Sequence, residues 1–254
     1  MQFAYLSESV TIKKVSETNT DGVFEVEGLY SGYGITVGNA LRRVLFSSLP
    51  GAAVTQFKIK GVQHAFSTVP NVSEDVVEIG LNLKRLRFRV HTDEPQTLTV
   101  KVKGEKVVTA ADVELNAEVE VMNPDAHIAT LTDKSAELEM ELRVERGLGF
   151  VPVEARKSEK LPIGTVALDA SFSPVVKANF AVENMRVGDR TDYNRLIVSV
   201  TTDGSITPSA ALHKASNILK DHFDKISNIE VKAVEVSEPE EEKPAKKKSA
   251  KKKK

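Results

Sequence analysis

The 254 residues carry 41% hydrophobic and 28% charged positions, the balance of a folded, water-soluble body, which excludes a fibrous repeat and disorder along the whole chain. The absence of cysteine excludes a disulfide framework, a thiolate nucleophile and a cysteine zinc site. The formal net charge of -1 hides an asymmetry: the segment from Glu235 onward holds eight Lys and five Glu, which leaves the remainder mildly acidic and without general affinity for phosphate backbones.

Residues 1–8 lack a basic start and a long apolar run, so no secretory leader is expected, and nowhere do the ~20 apolar residues of a membrane span run together. The expected setting is the cytoplasm, with no membrane partner. Residues 24–30 alternate apolar and polar positions as a strand does. A helix is predicted next, capped by Thr36, with the stripe Val37, Ala40, Leu41, Val44, Leu45, Ser48 and Leu49 on one face and a stop at Pro50-Gly51. After a strand over residues 54–60, a second helix is predicted from the cap Ser73, with Glu74 and Asp75 complementing its dipole, to near Lys84. Residues 85–90, 97–102 and above all 138–145 then alternate as strands with one wet face.

Strands are also predicted at residues 166–169, 178–182 and 196–202, the last closed by the turn pair Asp203-Gly204. The final helix has a clear start: Thr207 as cap and Pro208 at the first helical position precede Ala211, Leu212, Ala215, Ile218, Leu219, His222, Phe223 and Ile226. Beyond Val236 only alanine is apolar, so the charged tail is expected to be disordered. A helix near each end with strand-rich sequence between them predicts an α+β fold. Its outer unit spans residues 1–50 and 175–234, an inserted mainly-β unit spans 51–174, and the tail is 235–254.

The chemistry-bearing patterns are thin. Gly32-Tyr33-Gly34 through Gly38 sits between a strand and a helix, the setting of a phosphate-cradling loop, but its G-x-G-x-x-x-G spacing fits neither a dinucleotide fold nor a P-loop. Glycines that permit a tight turn and close helix packing are the better reading. His64, His91, His127, His213 and His222 fall at no metal-ligand spacing, and no metal site, cofactor or small-molecule ligand is expected. Glu139, Glu141 and Glu145 lie on the wet face of a strand, and Asp189-Arg190-Thr191-Asp192 reads as a turn with a local ion pair, so no catalytic residue can be nominated. Arg42-Arg43 within an apolar helix, with Phe46 beside Arg43 on its face, points to a partner surface, against the alternative of a solvated charge.

Three classes stay open on the residues: an assembly platform, a small-molecule enzyme using the glycine loop, and a nucleic-acid binder using the lysine tail. At this point a resemblance enters. Gly32-Tyr33-Gly34, Val37-Gly38-Asn39-Ala40-Leu41-Arg42-Arg43-Val44-Leu45 and Ser47-Ser48-Leu49-Pro50-Gly51-Ala52 are very similar to the signature of the bacterial RNA polymerase alpha subunit family. Ser73-Glu74-Asp75, Val108-Thr109-Ala110-Ala111-Asp112, Arg146-Gly147-x-Gly149-Phe150-Val151-Pro152, Asp169-Ala170-x-x-Ser173-Pro174-Val175 and Arg190-Thr191-Asp192 follow in the family's order.

The resemblance implies a non-catalytic platform of DNA-directed RNA polymerase, a nucleotidyltransferase complex, that acts in transcription. Both end helices would pack against a second copy, the homodimer seam using Val37, Leu41, Val44, Leu45, Leu212, Ala215, Leu219 and Phe223. Arg42, Arg43 and Phe46 would meet the beta subunit, and Lys84, Leu168 and Asp169 the beta-prime subunit. Ile35 stands where the family usually has histidine, the loop at residues 157–161 is shorter than in many relatives, and the expected tail takes the place of the family's C-terminal DNA-binding domain. DNA would then be met only indirectly, or weakly through the lysines.

Overall fold

Alternating sequence dominates the chain, and in the computed structural model, which describes residues 10–156 and 161–229, it pairs into two large antiparallel sheets and two two-stranded ones. The order begins β1 (Thr11–Glu17), β2 (Asp21–Leu29), α1 (Tyr33–Ser47), β3 (Pro50–Ile59), α2 (Val76–Leu83), β4 (Phe88–Val90) and β5 (Gln96–Lys103). It continues β6 (Lys106–Thr109), β7 (Val113–Glu114), β8 (Val119–Val121), β9 (His127–Leu131), β10 (Glu137–Leu148), β11 (Phe150–Val151), β12 (Thr165–Ala167) and β13 (Ala170–Ser171). The long hairpin β14 (Val175–Val187) and β15 (Arg190–Thr202) leads into α3 (Pro208–Ser227).

The first sheet joins the two ends of the chain, with strand order β1-β2-β15-β14. Its inward positions, among them Val26, Leu196, Val198 and Val200, pack against Leu41, Leu45 and Leu49 of the α1 region and Ala211 and Ala215 of α3. α1 lies close because glycine faces the sheet: a Cβ at Gly38 would stand 2.6 Å from the Phe180 ring, and one at Gly34 2.7 Å from Val182. The opposite face carries an ion-pair ladder, Lys13 to Glu27 at 2.5 Å, Glu27 to Arg195 at 3.1 Å and Arg195 to Glu183 at 3.7 Å.

The second sheet is built from a contiguous stretch, in the order β7-β5-β10-β3-β4-β8 with β12 also on β3. Along β10, Leu138, Met140, Leu142 and Val144 are buried while Glu139 and Glu141 face outward, the alternation read from the sequence. α2 closes this core with Val76, Ile79 and Leu83. The two sheets are tied side to side by Arg89, whose Nε donates to the Ser205 carbonyl and whose Nη2 donates to the Gly204 carbonyl, each at 3.0 Å.

Several expectations need correction. α1 starts before Thr36, at Gly32 in the left-handed conformation (φ 86°), and the cap comes from a distant strand: Asn194 Oδ1 accepts from the Gly32 and Gly34 N–H groups. Thr36 instead sits inside the helix, its hydroxyl donating to the Gly32 carbonyl. α2 is capped by Asp75, which accepts from the Glu78 N–H at 2.7 Å, and not by Ser73. Glu74 is drawn away to β9, where it accepts from the Thr130 N–H and hydroxyl and meets His127 Nε2 at 2.8 Å. Burial raises the Glu74 pKa, but these hydrogen bonds outweigh it and hold the carboxyl below the ordinary range. Arg190 and Asp192 form the expected pair, 2.7 Å apart, but on β15 and after the turn.

Thr207 and Pro208 start α3 as predicted. The charged tail and residues 1–9 and 157–160 lie outside the described residues. Among the described residues no helix is long and apolar enough to cross a membrane.

Candidate interaction surfaces

α3 runs for 20 residues, about 30 Å, yet only Pro208, Ala211 and Ala215 on it are buried. Leu212, Ile218 and Leu219 are half covered, and from Asp221 to Ile229 every residue is exposed, including Phe223 at 61%, Ile226 at 58% and Ile229 at 67%. The apolar stripe therefore outruns the body it packs on. Of the residues expected at the homodimer seam, Leu41, Leu45 and Ala215 are buried in the chain's own core, because the four-stranded sheet needs that cover. Val37, Val44, Leu212 and Leu219 are half-buried at its margin, and Phe223 is free.

On the outward face of α1, Arg42 and Arg43 are exposed and make no ion pair among the described residues. Phe46 joins them, partly exposed. The end of this helix is near the β10–β11 turn, where Leu148 and Phe150 are also exposed. Sequence reading missed that neighbourhood, because nothing local says that residue 149 returns to residue 47.

Lys84, Leu168 and Asp169, distant in sequence, are brought together. Lys84 Nζ lies 3.2 Å from Asp169 Oδ2, and the Val153 N–H donates to Asp169 Oδ1 at 3.0 Å. The Val153 N–H and the Lys84 ammonium hold the Asp169 carboxyl below the usual carboxylate range. Leu168 departs from its expected role as a surface contact: its side chain belongs to the core under α2, its N–H donates to the Thr55 carbonyl, and its own carbonyl accepts from Arg156. Lys84 and Asp169 are thus the two groups of this cluster that present charge outward. A further cluster escaped the sequence reading: Arg190 stands 5.0 Å from the Tyr30 ring centre and 5.4 Å from that of Tyr193.

None of these surfaces gathers a nucleophile, a base and an orienting group. The α1 and α3 surfaces join exposed apolar area to charge, the composition of contacts between proteins.

Residues 57–173 match a family model described as the RNA polymerase Rpb3/RpoA insert domain. The DNA-directed RNA polymerase subunit alpha of Alkaliphilus oremlandii is 48% identical over 229 residues, covering 87% of this chain and 72% of that protein. The protein of the same name from Symbiobacterium thermophilum is 50% identical over 210 residues, 83% of this chain and 66% of its own length. That of Lawsonia intracellularis is 48% identical over 223 residues, 88% of this chain and 64% of its own length. The match to the second and third of these relatives thus spans slightly less than two thirds of their length.

Proposed function

The chain belongs to the family of DNA-directed RNA polymerase alpha subunits, and from that membership we propose that it is a non-catalytic platform which dimerises and recruits the beta and beta-prime subunits. The observation that carries the proposal is α3, whose apolar stripe stays exposed at Phe223 and Ile226, with Ile229 exposed just beyond its end. Exposed apolar area of that extent on a soluble protein marks an interface, and a two-fold arrangement covers both copies with one surface. The outer unit, residues 1–50 and 175–234, is the dimerisation unit in this reading, and residues 51–174 are the inserted unit.

The dimer then offers two further faces. Arg42, Arg43 and Phe46 serve the beta subunit, where unpaired guanidiniums suit bidentate pairing with carboxylates. Lys84 and Asp169 serve the beta-prime subunit, and Leu168 acts behind them by holding the backbone that presents Asp169. Nucleotide addition itself is assigned to the partners. The test is reconstitution: the purified chain should scatter light as a dimer, bind isolated beta, and then retain beta-prime. A monodisperse monomer that binds neither large subunit would overturn the reading.

A further inference from the structure

The C-terminal end of α1 meets a second element with almost nothing between them. Gly149 has a φ of 61°, a left-handed conformation that favours glycine, and a Cβ placed on it would lie 3.3 Å from the Ser47 carbonyl oxygen. The β10–β11 turn therefore sits backbone against backbone on the last residue of the helix. Leu148 and Phe150 are the chain neighbours of Gly149 on one element, and Phe46 precedes Ser47 on the other. They are exposed at 55%, 62% and 37%, respectively. The base beneath them is fixed: Leu148 pairs with Pro50 and Phe150 with Ser171, and a Cβ on Gly147 would stand 2.6 Å from the buried Phe172 ring.

One turn back on α1, Arg42 and Arg43 project without ion pairs among the described residues. The nearby cations of β10 differ, since Arg143 pairs with Glu145 and Arg146 with Asp93. Three exposed apolar residues and two unpaired guanidiniums thus belong to the two elements that meet at this backbone contact, each within about a turn of it in sequence. A second copy seated there by the same face would bring two more guanidiniums against these two.

We propose that Leu148 and Phe150 complete, with Phe46, Arg42 and Arg43, a single two-element docking surface for an apolar pocket rimmed by carboxylates on the beta subunit. The inference rests on the reading of the α1 face given above and extends it to a strand that the sequence alone did not connect with it. Anchoring apolar residues at the centre of an interface carry most of its affinity, so their removal outweighs loss of one rim charge.

The experiment uses the full-length dimer and purified beta subunit, with the double variant Leu148→Ser/Phe150→Ser, the single variant Phe150→Asp, Arg43→Ala, and the double variant combined with Arg43→Ala. The double variant should bind beta at least ~10-fold more weakly, with dimer mass and melting temperature unchanged because both positions are exposed. Phe150→Asp should weaken capture similarly, which keeps the test decisive if two substitutions loosen the turn. Combined with Arg43→Ala, the loss should differ from the product of the separate losses, as for residues of one surface. If wild type binds beta and both Phe150 variants bind equally well, the extension is overturned while the platform reading stands. Loss of the dimer in the double variant would assign the corner to the homodimer seam and also overturn it. Failure of wild type to bind beta would overturn both.

Discussion

Replacing Gly38 by alanine sets a local gain against a tertiary cost on the same residue. In an isolated helix the change gains about 1 kcal/mol. Here the new methyl would stand 2.6 Å from Phe180 Cδ2, 2.9 Å from Phe180 Cγ and 2.9 Å from Leu196 Cδ1. Cγ is next to the root of the Phe180 side chain, so that ring yields only if β14 shifts. Leu196 is fully buried, and its methyl has no empty space to enter. The cost therefore falls near the upper end of overpacking, about 3 kcal/mol, and the net destabilisation is about 2 kcal/mol. In a chain of this size that lowers the melting temperature by about 4–8 °C. Thermal scans at matched protomer concentration measure it, since a dimer's melting point depends on concentration. Asn39→Ala, on the exposed side of the same helix, should instead gain a few tenths of a kcal/mol. A Gly38→Ala protein that melts at or above wild type would show that α1 does not bear on the sheet as described.

Other substitutions probe other layers. Phe223→Asp places an unpaired charge in the proposed seam, at a cost on the order of 3 kcal/mol, and should raise the dimer dissociation constant a hundredfold or more by sedimentation. A dimer of unchanged strength would place the seam elsewhere. Ser209 and Lys14 hold the Glu17 carboxyl well below its ordinary value of 4.5, down to about 2. The folded value is the lower one, so this stabilisation is complete above about pH 4.5 and is lost as pH falls toward 2. Melting of Glu17→Gln should accordingly trail wild type at pH 7 and converge with it in acid, and a gap independent of pH would contradict the linkage. Removing residues 235–254 takes away eight lysines, and polymerase carrying the shortened chain should hold DNA less tightly at low salt on any sequence. Equal affinity across a salt series would eliminate that role.

The sequence was legible where the signal is local. Thr207-Pro208 announces α3 because capping and the fixed proline φ act within one turn, and the alternation along β10 survives because one face packs and the other is wet. It was illegible where a distant residue overrides a local one. Thr36 is a competent cap, yet Asn194, 162 residues from Gly32, supplies the cap and moves the start. Ser73 loses to Asp75 because Glu74 is claimed by Thr130 across the core. The stripe on α1 and α3 was visible, but periodicity cannot say whether a given leucine faces its own sheet or a second copy. Leu41 and Leu45 turn out to be needed at home. The short strands β6 to β9 carry too few residues to show a period, and the meeting of Lys84 with Asp169 depends on how β12 registers on β3, which no spacing encodes.

The four-stranded sheet has a consequence in time. Its first two strands and α1 leave the ribosome long before β14 and β15, and Asn194 arrives 162 positions after the glycine that it caps. At typical synthesis rates of about 5–20 residues per second, that delay is on the order of 10 to 30 s. Throughout it α1 lacks β14 and β15, the strands its glycines lie on, while the contiguous stretch from β3 to β12 can already close its own core. The nascent chain therefore carries an amphipathic helix whose covering strands are the last to be made.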